Sequence, residues 1–252
     1  MKKHIYKIIA VVAGVAAVAC AAVGGYKYYQ EKHAGDDYEE VRETVKKEVE
    51  PVAEEKAPVA IPIDFAALQE QNPEVYAWIQ IQDTNIDYPI LQREGDNGYY
   101  LNHTIDGEQK TEGSIFTEDY NSKDFEDPNT VIYGHDMKNG SMFQNLLNYQ
   151  DKDFFDNHKD VIIYTPDAIR HYKVFAAYLY DDRHLIQSFD FNIKSVYQAY
   201  LDSIFAIRDM SAQIDTTQQV SVDDKIITLS TCYGSQSDKR FLVQAVLVSI
   251  EK

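Results

Sequence analysis

Apolar and polar positions divide the chain into three parts with different patterns. Residues 8–23 form one run without a charge, and the next thirty or so residues are strongly polar. From about residue 61 onwards, short apolar runs alternate with turn residues, as in a globular domain. The pattern therefore predicts three segments, at residues 1–30, 31–60 and 61–252.

The first segment has the features of a membrane anchor. Lys2, Lys3 and Lys7 precede an apolar span of about twenty residues, which is the length that crosses a bilayer. Basic residues on the short leading side place the N-terminus in the cytoplasm and the remaining chain outside. Two alternatives stay open, because Ala17-Val18-Ala19 also resembles a signal-peptide cleavage site and Cys20 is then placed for lipidation. All three alternatives export the rest of the chain.

The second segment, residues 31–60, is charged and contains few large apolar residues. Asp36–Glu50 is compatible with a polar helix in which acidic and basic residues four positions apart support each other. We find no face that such a helix buries, and prolines close the segment. The segment is predicted to be an extracellular stalk.

The third segment is predicted to be mainly β. One or two short helices are expected at its start, with Asp64 as the N-cap and with Pro73 opening the second over Val75, Trp78 and Ile79. Further helices are predicted at Gly140–Tyr149 and Ile193–Ile207, and strands at Ile86–Leu91, Gly113–Thr117, Thr130–Tyr133, Val161–Thr165, His171–Leu179, Lys225–Ser230 and Phe241–Ile250. Short strands at this spacing are typical of a closed β-barrel, here with N-terminal helices and a helical insertion.

The net charge of the chain indicates which classes of partner it is not expected to attract. The formal net charge of the chain is -17 at pH 7. Such a chain repels nucleic acids and anionic lipid head groups. The sequence therefore predicts no nucleic-acid partner.

The chain has two cysteines, Cys20 and Cys232. Cys20 lies in the apolar N-terminal segment, so the two are poorly placed to pair and a disulfide framework is excluded. A single unpaired thiol in an exported domain is explained either by reactivity or by burial as a small hydrophobic side chain. The residues around Cys232 help to decide between a reactive and a merely buried thiol.

Cys232 closes an apolar strand, and the polar stretch Tyr233–Lys239 follows it as a predicted loop. Arg240 begins the next strand, so both side chains are expected at the same rim of the barrel. Positive charge beside a cysteine stabilises the reactive thiolate, and an arginine can donate hydrogen bonds to an oxyanion. This placement favours a catalytic Cys232.

A cysteine nucleophile needs a partner, usually histidine. His135 is favoured because it follows the strand Thr130–Tyr133 and Gly134, and so repeats the placement of Cys232 at a strand end. The other histidines of the domain show no comparable placement: His103, His158, His171 and His184. No two histidines have a metal-ligand spacing such as H-x-x-x-H, so neither a metal nor another cofactor is predicted.

These residues resemble a known family. Thr228-Leu229-Ser230-Thr231-Cys232, with Arg240 shortly after it, is similar to the sortase signature, and Tyr133-Gly134-His135 is similar to the histidine motif of that family. Similarity to its class B subgroup extends to Asn72–Ile79, Thr84–Ile90, Tyr100–Asn102 and Gly113–Phe116. The resemblance covers about Ile61 to Lys252.

The resemblance implies a membrane-anchored cysteine transpeptidase of Gram-positive bacteria, with exported, signal-bearing proteins as substrates. Cys232 would attack the carbonyl after the threonine of a C-terminal sorting signal of the NPxTx kind. His135 would act as general acid and then as base, and Arg240 would hold the oxyanion or the substrate backbone. An amine of a peptidoglycan precursor would then resolve the thioester.

The same analogy extends to the substrate groove, which would be lined by Asn102, Ser230 and Ser188. The chain departs from the subgroup after the cysteine, where Tyr233 and Gly234 replace an acidic residue that some members carry. Asp238 is therefore left out of the catalytic set, and the short loop leaves the direction of Arg240 open.

Three other functions remain open at this point. A pilin-polymerising sortase would use the same chemistry with a lysine of another pilin as acceptor. An extracellular cysteine peptidase would resolve the thioester with water. In a non-catalytic adhesin or binding module, Cys232 would merely be buried.

Overall fold

The structure of the chain, a computed structural model, describes residues 19–47, 59–234 and 236–252. Helices are α1 (residues 19–33), α2 (Asp36–Val45), α3 (Phe65–Gln71), α4 (Lys152–Asn157), α5 (Leu185–Ser188) and α6 (Lys194–Phe205), with 3-10 helices at Tyr99–Leu101 and Gln144–Gln150. Strands are β1 (Val75–Gln80), β2 (Asp87–Leu91), β3 (Ile115–Thr117), β4 (Asn129–Tyr133), β5 (Asp160–Thr165), β6 (Ala168–Asp181), β7 (Gln213–Ile214), β8 (Ile226–Tyr233) and β9 (Gln236–Glu251).

The strands close into a barrel. Their order is β5-β1-β2-β3-β4-β8-β9-β6-β7, and β5 also pairs with β6, which closes the barrel from β5 to β6. Strand β7 is not part of this closed ring and pairs with β6 alone. The mainly β, closed-barrel fold predicted from the short apolar runs is confirmed.

Both faces of the central strands are buried: the inner face by the core of the barrel and the outer face by the helical insertion. Ile227 and Leu229 of β8 belong to the core inside the barrel, whereas Ile226 packs with residues of α6 on the outside. Strand β9 alternates in the same way, with Phe241 inside and Leu242 outside. The insertion between β6 and β8 therefore covers one outer face of the barrel, and strands buried on both faces appear as continuous apolar runs.

The second predicted N-terminal helix is wrong. The residues after Pro73 form β1, which pairs with β2 and β5. Val75–Ile79 are all buried. A short, fully apolar run does not show by its periodicity whether it is a strand or a helix, and the two neighbouring strands decide. The first helix was correctly predicted, since Asp64 accepts a hydrogen bond from Ala67 N at 3.2 Å.

The prediction that the second segment buries no face is wrong for α2. Tyr38, Val41 and Val45 lie along one side of this helix and belong to the main core. The Tyr38 hydroxyl donates a hydrogen bond to the Gly113 carbonyl at 2.8 Å. Three apolar residues at helical spacing are enough to dock α2 on the barrel. In the sequence they are hard to recognise because most of their neighbours are charged. Helix α2 is thus part of the folded domain, and residues 48–58 of the predicted stalk lie outside the described residues.

Helix α2 is expected to contribute to the stability of the barrel. Tyr38→Ala should lower the free energy of unfolding by about 3–5 kcal/mol, as for other buried aromatic residues, because it leaves a cavity and unpairs the Gly113 carbonyl. Tyr28→Ala on α1 is the matched control, since Tyr28 is 69% exposed. Urea unfolding measures both variants, and equal midpoints for the two would contradict the docking of α2.

The predicted membrane anchor is mostly beyond the described residues. Positions 8–18 of the apolar run lie outside them. Across the described ranges, we find no helix with the length and apolar character that crossing a membrane requires. Cys20 is exposed on α1, and Cys20 and Cys232 are both free thiols.

Candidate active site

Four side chains form a row across neighbouring strands. Cys232 of β8 pairs with Arg240 of β9, and Arg240 pairs in turn with Tyr180 of β6. Residues that are directly opposite each other in a sheet project their side chains to the same face. On the other side, β8 runs parallel to β4 with Tyr133 beside Ser230, so continuing this register by two residues places His135 beside Cys232.

The row lies on the outer face of the barrel. Ile227 and Leu229 point into the core, and the alternation of a strand places Cys232 on the opposite face. Leu242 and Arg240 share that outer face on β9, next to the cluster that α5 and α6 form with the barrel. Cys232 itself is only partly buried. The sequence predicted that Cys232 and Arg240 lie at the rim of the barrel. In the structure they lie on its outer face, beside the helical insertion.

The predicted loop between Cys232 and Arg240 is wrong. Strand β8 continues to Tyr233 and β9 begins at Gln236, so nearly all of the stretch belongs to a tight hairpin. The ladder itself continues to the pair of Cys232 and Arg240, with an irregularity directly after it. Gly234 has a φ of 55°, a conformation that a turn of this kind requires and that glycine adopts without strain. The direction of Arg240, which the short loop left open, is therefore fixed by strand pairing.

Gly134, the glycine of the histidine motif, lies where a larger residue would clash with its neighbours. A Cβ atom on Gly134 would lie 2.4 Å from Ile115 Cδ1 and 2.7 Å from the Phe143 ring. The Gly134 amide donates to the Ser230 carbonyl at 3.1 Å, which extends the contact between β4 and β8 by one residue. This close packing directs the chain so that His135 lines the same groove as Cys232.

His135 is held from two sides. Its Nε2 lies 2.6 Å from the Leu101 carbonyl oxygen, and its own carbonyl accepts a hydrogen bond from Phe143 N at 2.9 Å. A carbonyl oxygen only accepts, so Nε2 carries a proton and Nδ1 is the nitrogen left to exchange one. The ring is therefore oriented for proton transfer through a single atom.

The row of side chains lies in a groove, and several of the site residues predicted from the sequence line it. Cys232, His135, Arg240 and Ser230 all line it. Its apolar walls are Leu101, Phe116, Leu185 and Leu242. Asn102 and Ser188 are exposed and are not among the lining residues, although Asn102 directly follows Leu101 and Ser188 ends α5, whose Leu185 lines the groove.

Several lining residues were missed by the sequence analysis: Tyr133, Tyr180, Glu118 and His184. The Glu118 carboxylate accepts a hydrogen bond from the Tyr133 hydroxyl at 3.1 Å, and His184 Nε2 lies 2.6 Å from the same oxygen. Burial, and then the nearby Glu118 carboxylate, raise the pKa of Tyr133 well above its ordinary value, so the phenol stays a donor. Only Tyr133 gave a signal in the sequence, through its place in the histidine motif.

The remaining histidines have structural partners. His103 stacks on Tyr99, and His158 stacks on Phe154. His171 lies 2.6 Å from a carboxylate oxygen of Glu251, far along β6 from the groove. Within the residues that the structure describes, no three histidine, cysteine or acidic side chains form a group that could hold a metal ion.

Asp136 connects the histidine loop to the hairpin that follows Cys232. Its Oδ2 accepts a hydrogen bond from the Gly234 amide at 3.2 Å. Burial raises the pKa of this carboxyl above its ordinary value, and the bond from Gly234 offsets the effect only in part. The folded protein therefore holds the proton of Asp136 more tightly than the unfolded chain does.

This shift predicts a pH dependence of stability. As the pH rises through the ordinary aspartate value of about 4, the unfolded chain releases this proton before the folded chain does, so stability falls. Asp136→Asn keeps an acceptor for Gly234 and removes the titration. The Tm difference between Asp136→Asn and the natural chain should grow as the pH is raised from 3 to 7. Parallel curves of Tm against pH would contradict the prediction.

The chain is similar to a known family of proteins. The family model of the sortase domain matches residues 79–248. This chain belongs to the sortase family, and to its class B. Sortase B of Listeria monocytogenes is 37% identical over 185 residues, covering 72% of this chain and 73% of that protein.

Solved sortase B structures have the same fold. The B. anthracis sortase B in complex with AAEK1 superposes with a TM-score of 0.71 at 31% identity, covering 89% of this chain and 99% of that one. A Staphylococcus aureus sortase B–substrate complex gives a TM-score of 0.65 at 30% identity, over 74% of this chain and 85% of that one. Sortases are cysteine transpeptidases, so the chain is an acyl-transferring enzyme.

Proposed function

We propose that the enzyme cleaves an NPxTx-like sorting signal of exported proteins and joins the acyl part to an amine of a peptidoglycan precursor. The observation that carries the proposal is the row of His135, Cys232 and Arg240 on one face of the barrel, inside one groove. A thiol between a proton carrier and a guanidinium has what acyl transfer needs, namely a nucleophile, a general acid and an oxyanion donor.

The reaction has two halves. In the first half, the Cys232 sulfur attacks the carbonyl carbon of the threonine and forms a thioester, while the C–N bond breaks and His135 gives a proton to the leaving amine. In the second half, His135 takes a proton from the incoming amine, which attacks the thioester and releases Cys232. Arg240 donates hydrogen bonds to the oxyanion in both halves.

Arg240→Ala is expected to lower kcat/KM for an NPxTx peptide by about 10²–10³-fold, as for loss of an oxyanion donor. Arg208→Ala is the matched control, because Arg208 is exposed just after α6 and donates hydrogen bonds to the neighbouring carbonyls of Phe205 and Ile207. A continuous cleavage assay gives kcat and KM for both variants. A loss below about fivefold would remove Arg240 from the transition state, since that corresponds to only about 1 kcal/mol.

Among the residues proposed to bind substrate, Ser230 has the strongest support. It is almost fully buried, 5% exposed, and lines the groove two residues before Cys232. Asn102 and Ser188 remain proposals that rest on the resemblance alone.

The nature of the acceptor decides between the proposed function and its alternatives. The enzyme is incubated with an NPxTx peptide and, in separate reactions, with triglycine, with a lysine-containing peptide, or with neither. We expect the ligated product with the free amine of triglycine to exceed hydrolysis. Ligation only to the lysine peptide would favour pilin polymerisation, and hydrolysis in all three reactions would favour a peptidase.

We also propose that residues 1–30 anchor the enzyme in the cytoplasmic membrane, with the catalytic domain outside. The support is the uncharged run at residues 8–23 and the lysines before it. Retention of the full chain in the membrane after alkaline extraction is the expected result. Retention that Cys20→Ser abolishes would instead indicate a lipoprotein.

A further inference from the structure

The tip of the hairpin between Cys232 and Arg240 has little support from its own ladder. The regular pairing of β8 with β9 ends in an irregularity directly after the pair of Cys232 and Arg240. Gly234 follows in a left-handed turn conformation and is exposed. A turn with so few contacts of its own opens easily unless another segment holds it. The position of Cys232 therefore depends on what holds the tip.

The Asp136 side chain supplies such a hold. Its Oδ2 accepts a hydrogen bond from the Gly234 amide at 3.2 Å, although the two residues are 98 positions apart in the chain. The hydroxyl of the neighbouring Tyr233 donates separately to Gln150 Oε1 at 3.2 Å. Of these two contacts, only the one from Asp136 joins the hairpin to the segment that contains His135.

The loop that carries Asp136 is itself well fixed. The Phe143 amide donates to the His135 carbonyl at 2.9 Å and closes the loop at its base. Within the loop, Asp136 pairs with Met142, which is fully buried and whose amide donates to the Tyr88 hydroxyl at 2.9 Å. Asp136 is therefore an anchor on a rigid support, and the hairpin is the part that it holds in place.

Two links between the same two segments flank the catalytic candidates. The first is the hydrogen bond from the Gly134 amide to the Ser230 carbonyl at 3.1 Å, before His135 and Cys232 in the direction of both strands. The second is the bond to the Asp136 side chain, which lies beyond both residues. Loss of the second link lets the segments turn about the first, so the sulfur and the imidazole ring no longer keep one relative position. A displacement of about 1 Å can cost about 10²-fold in rate.

We propose that Asp136 is a positioning residue, which holds the hairpin of Cys232 against the histidine loop through its bond to Gly234 and so fixes Cys232 relative to His135. Asp136 acts through this bond and exchanges no proton with the substrate. An uncharged acceptor of the same shape therefore serves as well, whereas a side chain without an acceptor does not. The inference goes beyond the proposed function and rests on its assignment of Cys232 as nucleophile and His135 as proton carrier.

The test compares Asp136→Ala with Asp136→Asn in the full chain, with an NPxTx peptide as substrate. Asp136→Ala should lower kcat by about 10- to 100-fold, because the reacting groups are misplaced. KM should stay nearly constant, since Asp136 is not among the residues that line the groove. Asp136→Asn keeps the acceptor oxygen and should restore kcat to near that of the natural enzyme.

Hydrogen exchange of the Gly234 amide is a second measurement, which reports on the link itself. In Asp136→Ala this amide loses its acceptor and should exchange about tenfold faster or more, whereas Asp136→Asn should keep the natural rate. Faster exchange at Gly234 with an unchanged Tm would show that the hairpin has loosened while the fold is intact.

Asp209→Ala is the matched control, because Asp209 Oδ1 also accepts a hydrogen bond from a backbone amide, that of Ser211 at 2.8 Å, in an exposed turn outside the groove. It should leave kcat unchanged. An unchanged kcat in Asp136→Ala would overturn the inference, as would an equal loss in Asp136→Asn, which would show that the charge matters and the acceptor does not. If the natural enzyme does not cleave the peptide, the proposed signal has failed, and the exchange measurement still decides: an unchanged exchange rate at Gly234 in Asp136→Ala overturns the inference by itself.

Discussion

Replacing Cys232 by alanine is expected to abolish cleavage of an NPxTx peptide while the fold and thermal stability stay nearly unchanged. Cys232 supplies the thiol of the row of groove residues, and the proposed thioester cannot form without its sulfur. Loss of a nucleophile costs about 10⁴–10⁶-fold in rate, which places Cys232→Ala at the background of the assay. Because Cys232 is only partly buried at the end of a strand, removal of its sulfur leaves little cavity.

Cys20→Ala is the matched control for this prediction. Cys20 is the second free thiol and is exposed on α1, remote in sequence from the barrel. Full activity in Cys20→Ala and none in Cys232→Ala assigns the chemistry to one sulfur. Residual cleavage by Cys232→Ala above background would remove the thioester from the mechanism.

His135→Ala should lower kcat/KM by about 10³–10⁴-fold, since one ring serves as general acid in the first half-reaction and as base in the second. The bond from Nε2 to the Leu101 carbonyl leaves a single nitrogen for this exchange. Steady-state kinetics with an NPxTx peptide measures this loss.

His158→Ala is the control for His135. His158 is also bonded through one ring nitrogen to a carbonyl oxygen, that of Phe154 at 2.9 Å, but does not line the groove. It should retain full activity. A loss of only twofold in His135→Ala would place the general acid on another residue.

Much of the barrel could be predicted from the sequence because most strands are short, apolar and bounded by turn residues. Strand β1 was missed since its apolar run has no alternation, and its identity depends on pairing with β2 and β5. A helix at α2 was predicted, but the docking of this helix on the barrel was missed for a different reason. Its three buried residues are few among charged neighbours, and only the barrel surface shows what they pack against.

The catalytic candidates could be predicted because they lie at strand ends within short motifs. The pairing that brings Cys232 and Arg240 together is local, across one hairpin. Glu118 and His184 could not be predicted, because they are 66 positions apart and meet only through the fold of the insertion. The distance of Asn102 and Ser188 from the groove likewise depends on tertiary structure, and both lie outside its lining.

Intact-protein mass spectrometry during turnover tests the central claim most directly. The enzyme is mixed with an NPxTx peptide without an amine acceptor, quenched in acid and digested to locate any adduct. We predict a mass increase equal to the acyl part of the peptide, located on Cys232 and lost when triglycine is added before the quench. No adduct despite cleavage of the peptide, or an adduct on any other residue, would contradict the account.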